Sequence, residues 1–273
     1  GAQQGRLVSH GIKAYKTAMS ETTPQPVSTA RPVIAITSQV ASNPVGGAVT
    51  GQVLFHAGWR PVLAPTVVMG RHPGRGTPGG AVLSDDALRS ALAAIAEEGL
   101  IEQAGAIFTG YVARPDQAEA IAEFLGEAKR RRPDLPVWVD PILGDGPGTP
   151  DDARLYVKPE TAAAVRDRIV PAADVITPNL FELAWLSGRE IPGEDAAIKA
   201  ARALTPAALV TTAPAPTGQV GVLAVTADDA RALSTARISG APNGAGDLFA
   251  ALALSETIKG APLHAAAARA AAQ

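Results

Sequence analysis

Pro242-Asn243-Gly244-Ala245-Gly246-Asp247 runs directly into the apolar stretch Leu248-Phe249-Ala250-Ala251-Leu252-Ala253-Leu254. The pattern reads as a glycine turn opening a helix, with a carboxylate at its mouth. Glycines let backbone approach a ligand closely, and the first N–H groups of a helix lack intrahelical partners, so such a turn favours an anion. A carboxylate beside a bound phosphate is repulsive unless it has a task. It can accept the proton of an attacking hydroxyl or help to hold a metal ion. Asp is also a common helix N-cap after a turn, and taken alone Asp247 fits either role.

Two further segments carry chemistry. Asp140-Pro141-Ile142-Leu143-Gly144-Asp145 follows a predicted strand, and residues 144–152 are rich in Gly, Pro and Asp. Such a segment can act as a lid that excludes water during transfer, or it can be a solvated loop with Asp140 capping the turn. Asn179 and Glu182 open a predicted helix three residues apart, which puts them on one face. A hard carboxylate near phosphates suits Mg2+, which keeps several waters and takes few protein ligands. Glu182 equally fits the last position of a capping box.

The elements that must position these residues alternate in type. Strands are predicted at 33–37, 60–66, 106–109, 137–139, 174–176 and 208–211. Helices are predicted near 46–58, 85–98, 116–131, 159–168, 180–187 and 195–204. The βαβα order implies a mostly parallel sheet with helices on both faces, and runs at 221–225 and 232–238 predict a late antiparallel edge hairpin. In such sheets ligands gather at the carboxyl ends of the strands. The polar residues fall there: Thr37-Ser38-Gln39, Thr66, Thr109-Gly110-Tyr111, Asp140, Thr177-Pro178-Asn179 and Thr211-Thr212.

Composition narrows the function classes. With 273 residues, 47% of them apolar, the chain can bury a large core. A net charge of −2 leaves no electrostatic footprint for nucleic acid, and the one basic run, Lys129-Arg130-Arg131-Arg132, sits where cations complement a helix end. The absence of cysteine removes disulfides, thiol nucleophiles and thiolate-bound zinc. No apolar run has transmembrane length and no signal peptide is evident, so a soluble, cytoplasmic protein is expected. Residues 1–30 read as an irregular leader, with Met19 a candidate natural start, and 31–273 as one domain.

Taken together and in order, Thr37-Ser38-Gln39-Val40, Pro65-Thr66-Val67 before a loop with His72, Gly110-Tyr111, the Asp140–Asp145 segment, Tyr156-Val157-Lys158-Pro159-Glu160, Thr177-Pro178-Asn179 with Glu182, and Gly244–Asp247 resemble the pyridoxal kinases of the ribokinase-like superfamily. The resemblance spans about Val33 to Leu254. It implies a three-layer αβα sandwich and ATP-dependent phosphorylation of the 5′-hydroxyl of pyridoxal, and of pyridoxine or pyridoxamine.

It also implies roles. Asp247 matches the catalytic base, and Gly244, Ala245 and Gly246 match the anion hole. Ser38, Thr66, Val67, His72 and Tyr111 match substrate-pocket positions. Asp140, Thr177, Asn179, Glu182 and Thr211 match positions around ATP, with Asp140 and Glu182 toward Mg2+, partly through water. K+ is a further candidate cofactor, and a homodimer is implied. An ordinary Asp, with a pKa of about 4, is too weak to deprotonate an alcohol beforehand. In a loose phosphoryl-transfer transition state it need only accept the proton late.

Departures fall on the substrate side. Val45-Gly46-Gly47 stands where members commonly have Val-Gly-Asn, Gly70-Arg71-His72 where they have Ser-Asn-His, and Arg75 where an aromatic residue is frequent. Alternatives within the superfamily are a hydroxymethylpyrimidine kinase, which usually carries Cys at the position of Asp247, or a sugar kinase. A B6-binding paralogue without catalysis is the alternative from another class.

Overall fold

A computed structural model describes residues 30–240 and 243–273. The leader 1–29, with Met19 and His10, and Ala241-Pro242 of the glycine turn lie outside the described residues. Residues from Arg31 to Gln273 form one compact unit.

The chain runs β1 (Pro32–Val40), α1 (Gly47–His56), β2 (Arg60–Met69), β3 (Ala81–Val82), α2 (Asp85–Glu97), α3 (Leu100–Gln103), β4 (Ala106–Thr109), α4 (Pro115–Arg131) and β5 (Val137–Val139). It continues through α5 (Pro159–Ala164), β6 (Val175–Ile176), α6 (Leu180–Ser187), α7 (Glu194–Leu204), β7 (Ala207–Ala213), β8 (Gln219–Thr226), β9 (Ala230–Ala236), α8 (Ala245–Ile258) and α9 (Leu263–Ala271). Among the described residues these strands make one nine-stranded sheet in the order β3-β2-β1-β4-β5-β6-β7-β8-β9. The six expected strands pair in parallel. The expected late hairpin is present as β8 and β9, antiparallel to its neighbours. Two-residue β3 is an antiparallel addition beside β2, too short to leave a periodic signal.

Alternation along the strands builds two cores. Ile34 and Ile36 face a cluster with Leu88, Ile121, Leu125 and Leu183, while Val33 and Ala35 face one with Leu54, Ala250, Leu254 and Ala267. Successive strand side chains point to opposite faces, so one short apolar strand serves both layers. The helix expected at 159–168 is α only to Ala164 and widens into a π turn over Val165–Ile169. The basic run closes α4 as expected, with Lys129 paired to Asp174 and Arg132 to Asp134. No helix among the described residues is long and apolar enough to cross a membrane.

Strand order reverses at β1, since β2 lies on one side of it and β4 on the other. Such a switch point opens a crevice at the carboxyl ends of the strands. A bulge shapes it further. Between Thr37 and Gln39 the β1 register advances two residues while β2 advances three, from Pro65 to Val68. The extra residue lets consecutive side chains, Thr66 and Val67, both be buried beside Ser38.

Candidate active site

The glycine turn forms as the sequence predicts, but its cap is Gly244, not Asp247. Gly244 has φ 98° and is the N-cap of α8, without a side-chain cap. A Cβ there would lie 2.3 Å from the Pro44 carbonyl oxygen, so both the backbone angle and the close approach require glycine. Asp247 occupies the third helical position, and the N-cap reading of it is corrected on this geometry. Its Oδ1 is buried without a hydrogen-bond partner among the described residues. Burial raises its pKa, opposed by the Gly46 backbone N–H and the nearby His72. A carboxylate so placed is a better proton acceptor than an exposed Asp.

Asp140 leaves the end of β5 and is 7% exposed. Its Oδ1 accepts the Thr177 hydroxyl at 3.0 Å. Burial holds its carboxyl well above the usual range, and the charges of Asp247 and Glu182 push in the same direction. Asp140 therefore feels two further acids of the same sign, a position that favours a proton or a cation there.

Glu182 and Asn179 grip the backbone that follows Asp140. Oε1 of Glu182 accepts the Leu143 N–H at 2.8 Å and the Gly144 N–H at 3.5 Å, and Oε2 accepts the Asn179 N–H at 2.9 Å. Asn179 donates from Nδ2 to the Gly144 carbonyl (2.8 Å) and accepts the Glu182 N–H (2.8 Å), completing a capping box. The capping reading is thus the observed one, with an added long-range role. Burial pushes the Glu182 carboxyl up to about 7, against three N–H groups that favour its charged form. Thr211 lies alongside: its N–H donates to the Pro178 carbonyl at 2.9 Å, and it bridges Asn179 in parallel.

On the β1–β2 side of the crevice, the hydroxyl of buried Thr66 donates to the Tyr111 carbonyl at 2.7 Å, and the Tyr111 N–H donates to Oγ1 of Thr37 at 3.1 Å. Burial raises the Tyr111 phenol. Gly46, with φ 55°, lies so close to Ser38 that a Cβ would sit 2.2 Å from the serine Oγ. The space that a larger residue 47 would enter is held by the Gln39 side chain, 2.8 Å from a Cβ built at Gly47. The His72 backbone N–H donates to Oδ1 of Asn43 (3.1 Å), and its Nδ1 accepts the Gly74 N–H (3.1 Å). Nδ2 of Asn243 lies 3.2 Å from the same Nδ1.

The expected lid at 144–152 is fastened in this structure. Gly144 bridges Leu155, the Gly148 carbonyl accepts the Ile191 N–H at 2.7 Å, and Nε1 of Trp185 donates to Oδ1 of Asp152 at 2.8 Å. The sequence reading missed Asn43 and Asn243 as partners of His72. The turn signal Asn43-Pro44 was visible, but no spacing rule links either asparagine to residue 72.

Mg2+ takes hard oxygen donors, which the crevice supplies as carboxylates. No group of three or more acidic or histidine side chains among the described residues is close enough to form a protein cage. Mg2+ bound through phosphates and water needs only one or two carboxylates, and Asp140, raised by burial and by the charges of Asp247 and Glu182, fits that demand, whereas both Glu182 oxygens already accept backbone N–H groups.

Comparisons with known proteins agree with this geometry. The phosphomethylpyrimidine kinase family model matches residues 66–272. A pyridoxine/pyridoxal/pyridoxamine kinase of Bordetella bronchiseptica is 37% identical over 248 residues, covering 88% of this chain and 86% of that one. The crystal structure of pyridoxal kinase from Entamoeba histolytica superposes with TM-score 0.81 at 27% identity, covering 89% of this chain and 86% of the other. Pyridoxal kinase from Leishmania donovani in complex with ADP gives TM-score 0.78 at 25% identity, covering 88% and 83%.

Proposed function

The chain belongs to the pyridoxal kinases of the phosphomethylpyrimidine kinase family, and from that premise we propose that it transfers the γ-phosphoryl group of ATP to the 5′-hydroxyl of B6 vitamers. The observation that supports the site assignment is the buried Oδ1 of Asp247, without a partner among the described residues and in the first turn of a glycine-capped helix, beside its open N–H groups. The vitamer oxygen forms a bond to the γ-phosphorus while the bond from phosphorus to the ADP oxygen breaks. The hydroxyl proton passes to Asp247.

The remaining residues orient and shield. Gly244, Ala245 and Gly246 offer backbone N–H groups to the transferred phosphoryl oxygens. Ser38, Thr66, Val67, Tyr111 and His72 wall the vitamer. Thr177, Asn179 and Thr211 border ATP at the ends of β6 and β7. Asp140 is the residue best placed to hold Mg2+ through water, with Glu182 behind it as an electrostatic and structural support. Mg2+ bound there would neutralise charge on the phosphates. K+, a homodimer and a cytoplasmic location belong to the same proposal.

ADP release measured with pyridoxal, pyridoxine, pyridoxamine, hydroxymethylpyrimidine and ribose tests it, with and without Mg2+ and with K+ exchanged for Na+. The B6 vitamers should give the largest kcat/KM. A preference for hydroxymethylpyrimidine, or vitamer binding without ADP release, would overturn the assignment.

A further inference from the structure

Gln117 is fully buried at the third position of α4, outside the crevice, and its amide is spent on three separate backbone segments. Nε2 donates to the Thr66 carbonyl at 2.7 Å and to the Leu83 carbonyl at 2.9 Å, while Oε1 accepts the Ala113 N–H at 3.1 Å. The Thr66 carbonyl also accepts the Leu83 N–H at 3.0 Å. A glutamine that only closed a helix start would need the Ala113 contact alone. The two donor bonds go elsewhere, to the bulge of β2 and to the residue before the Ser84 cap of α2.

These bonds converge on one wall. The Thr66 hydroxyl donates to the Tyr111 carbonyl, so Thr66 joins the β2 bulge to the loop after β4, and Gln117 holds both sides of that join: Thr66 by its carbonyl and the loop by the Ala113 N–H. We propose that Gln117 is a positioning residue for the vitamer, fixing Thr66 and Tyr111 relative to each other from behind the pocket. The inference rests on the assignment of the vitamer to the Thr66–Tyr111 pocket. A planar amide suits the task because it supplies two donors and an acceptor at fixed angles, and no charge is buried.

The test is a split between the two substrates. Gln117→Met keeps length and removes all three bonds. It should raise KM for pyridoxal about ten-fold, the weight of one or two positioning hydrogen bonds, and leave KM for ATP within about two-fold. Thr66→Val, measured beside it, should raise the same KM, and the double variant should fall short of the product of the two effects. Unchanged KM values, or equal rises for both substrates, overturn the proposal.

Should Gln117→Met fail to fold, amide exchange at Ala113 in the unsubstituted protein decides. Exchange slowed by pyridoxal and not by ADP supports the proposal, and exchange indifferent to pyridoxal overturns it. If Thr66→Val leaves KM for pyridoxal unchanged, the pocket assignment itself fails. A rise with Thr66→Val and none with Gln117→Met rejects Gln117 alone.

Discussion

Nδ2 of Asn243 lies 3.2 Å from Nδ1 of His72, joining two loops 171 residues apart in sequence. One loop leads into the glycine-capped start of α8 and the other follows β2. Because Nδ1 also accepts the Gly74 N–H, a neutral His72 ring carries its proton on Nε2. The contact therefore sets both the closeness of the loops and the donor that the imidazole presents.

Asn243→Ala should loosen this closure. A net hydrogen bond is worth about 1 kcal/mol, so KM for pyridoxal should rise about five-fold while the helix of Asp247, capped by Gly244, stays folded. Steady-state kinetics with circular dichroism on the same samples checks it. A KM equal to that of the unsubstituted protein would leave the Asn243 contact without a kinetic role.

Asp247→Asn should collapse turnover by about 10²–10⁴-fold, the usual weight of a general base, with ATP affinity and folding largely retained. Since Gly244 caps α8, the substitution costs no cap bond. Single-turnover rates beside nucleotide titrations separate the two effects. Activity within about three-fold of the unsubstituted enzyme would remove Asp247 from the chemistry.

What was legible in the sequence follows from what local pattern encodes. The six parallel strands and their helices were readable because apolar runs and turn residues mark each one separately. Gly244 to Asp247 was readable as a glycine turn opening a helix for the same reason. The identity of the cap was not, because Asp and Gly both satisfy a helix start and the choice depends on the Pro44 carbonyl, 2.3 Å from where a Cβ on Gly244 would be. The β2 bulge, which turns both Thr66 and Val67 inward, depends on pairing register with β1. Glu182 was read with both its roles open, and the structure gives it a third: its reach to Leu143 and Gly144 crosses nearly forty residues, beyond any spacing rule.

Burial pushes the Glu182 carboxyl from 4.5 to about 7, so the folded protein keeps a proton that the unfolded chain releases. Where the native state binds more protons, stability falls as pH rises. The nucleotide-free protein should therefore lose stability between about pH 4.5 and 7, by an amount on the order of 3 kcal/mol from this group, whose own contribution levels off above. Asp140 and Asp247, also raised by burial, tilt the curve the same way. Asp116 and Asp134, lowered by their Arg partners, titrate below this window and add no slope within it. Urea midpoints across the window should fall less steeply for Glu182→Gln. Equal slopes would mean that the three N–H groups keep Glu182 charged in the folded protein.

The segment 144–152 is held at its far end by Trp185, whose Nε1 donates to Oδ1 of Asp152 while Arg166 sits 5.4 Å from the ring centroid. Trp185→Phe keeps an apolar ring beside Arg166, removes the donor and leaves a small gap in the core. Because Asp152 is exposed, the lost bond is worth the lower end of the range for a charged acceptor, about 1.5 kcal/mol, or roughly ten-fold in a local opening equilibrium. Amides near Asp152 should exchange about ten-fold faster, with little change in exchange of the buried sheet. The segment follows Asp140 directly, so KM for ATP should rise while KM for pyridoxal, set on the far side of the crevice, should not. Nucleotide that slows exchange at 144–152 in both proteins would show that the segment closes over ATP despite its fastenings. Exchange and KM for ATP both unchanged by the substitution would reduce Trp185 to a core aromatic, which is all that its burial requires.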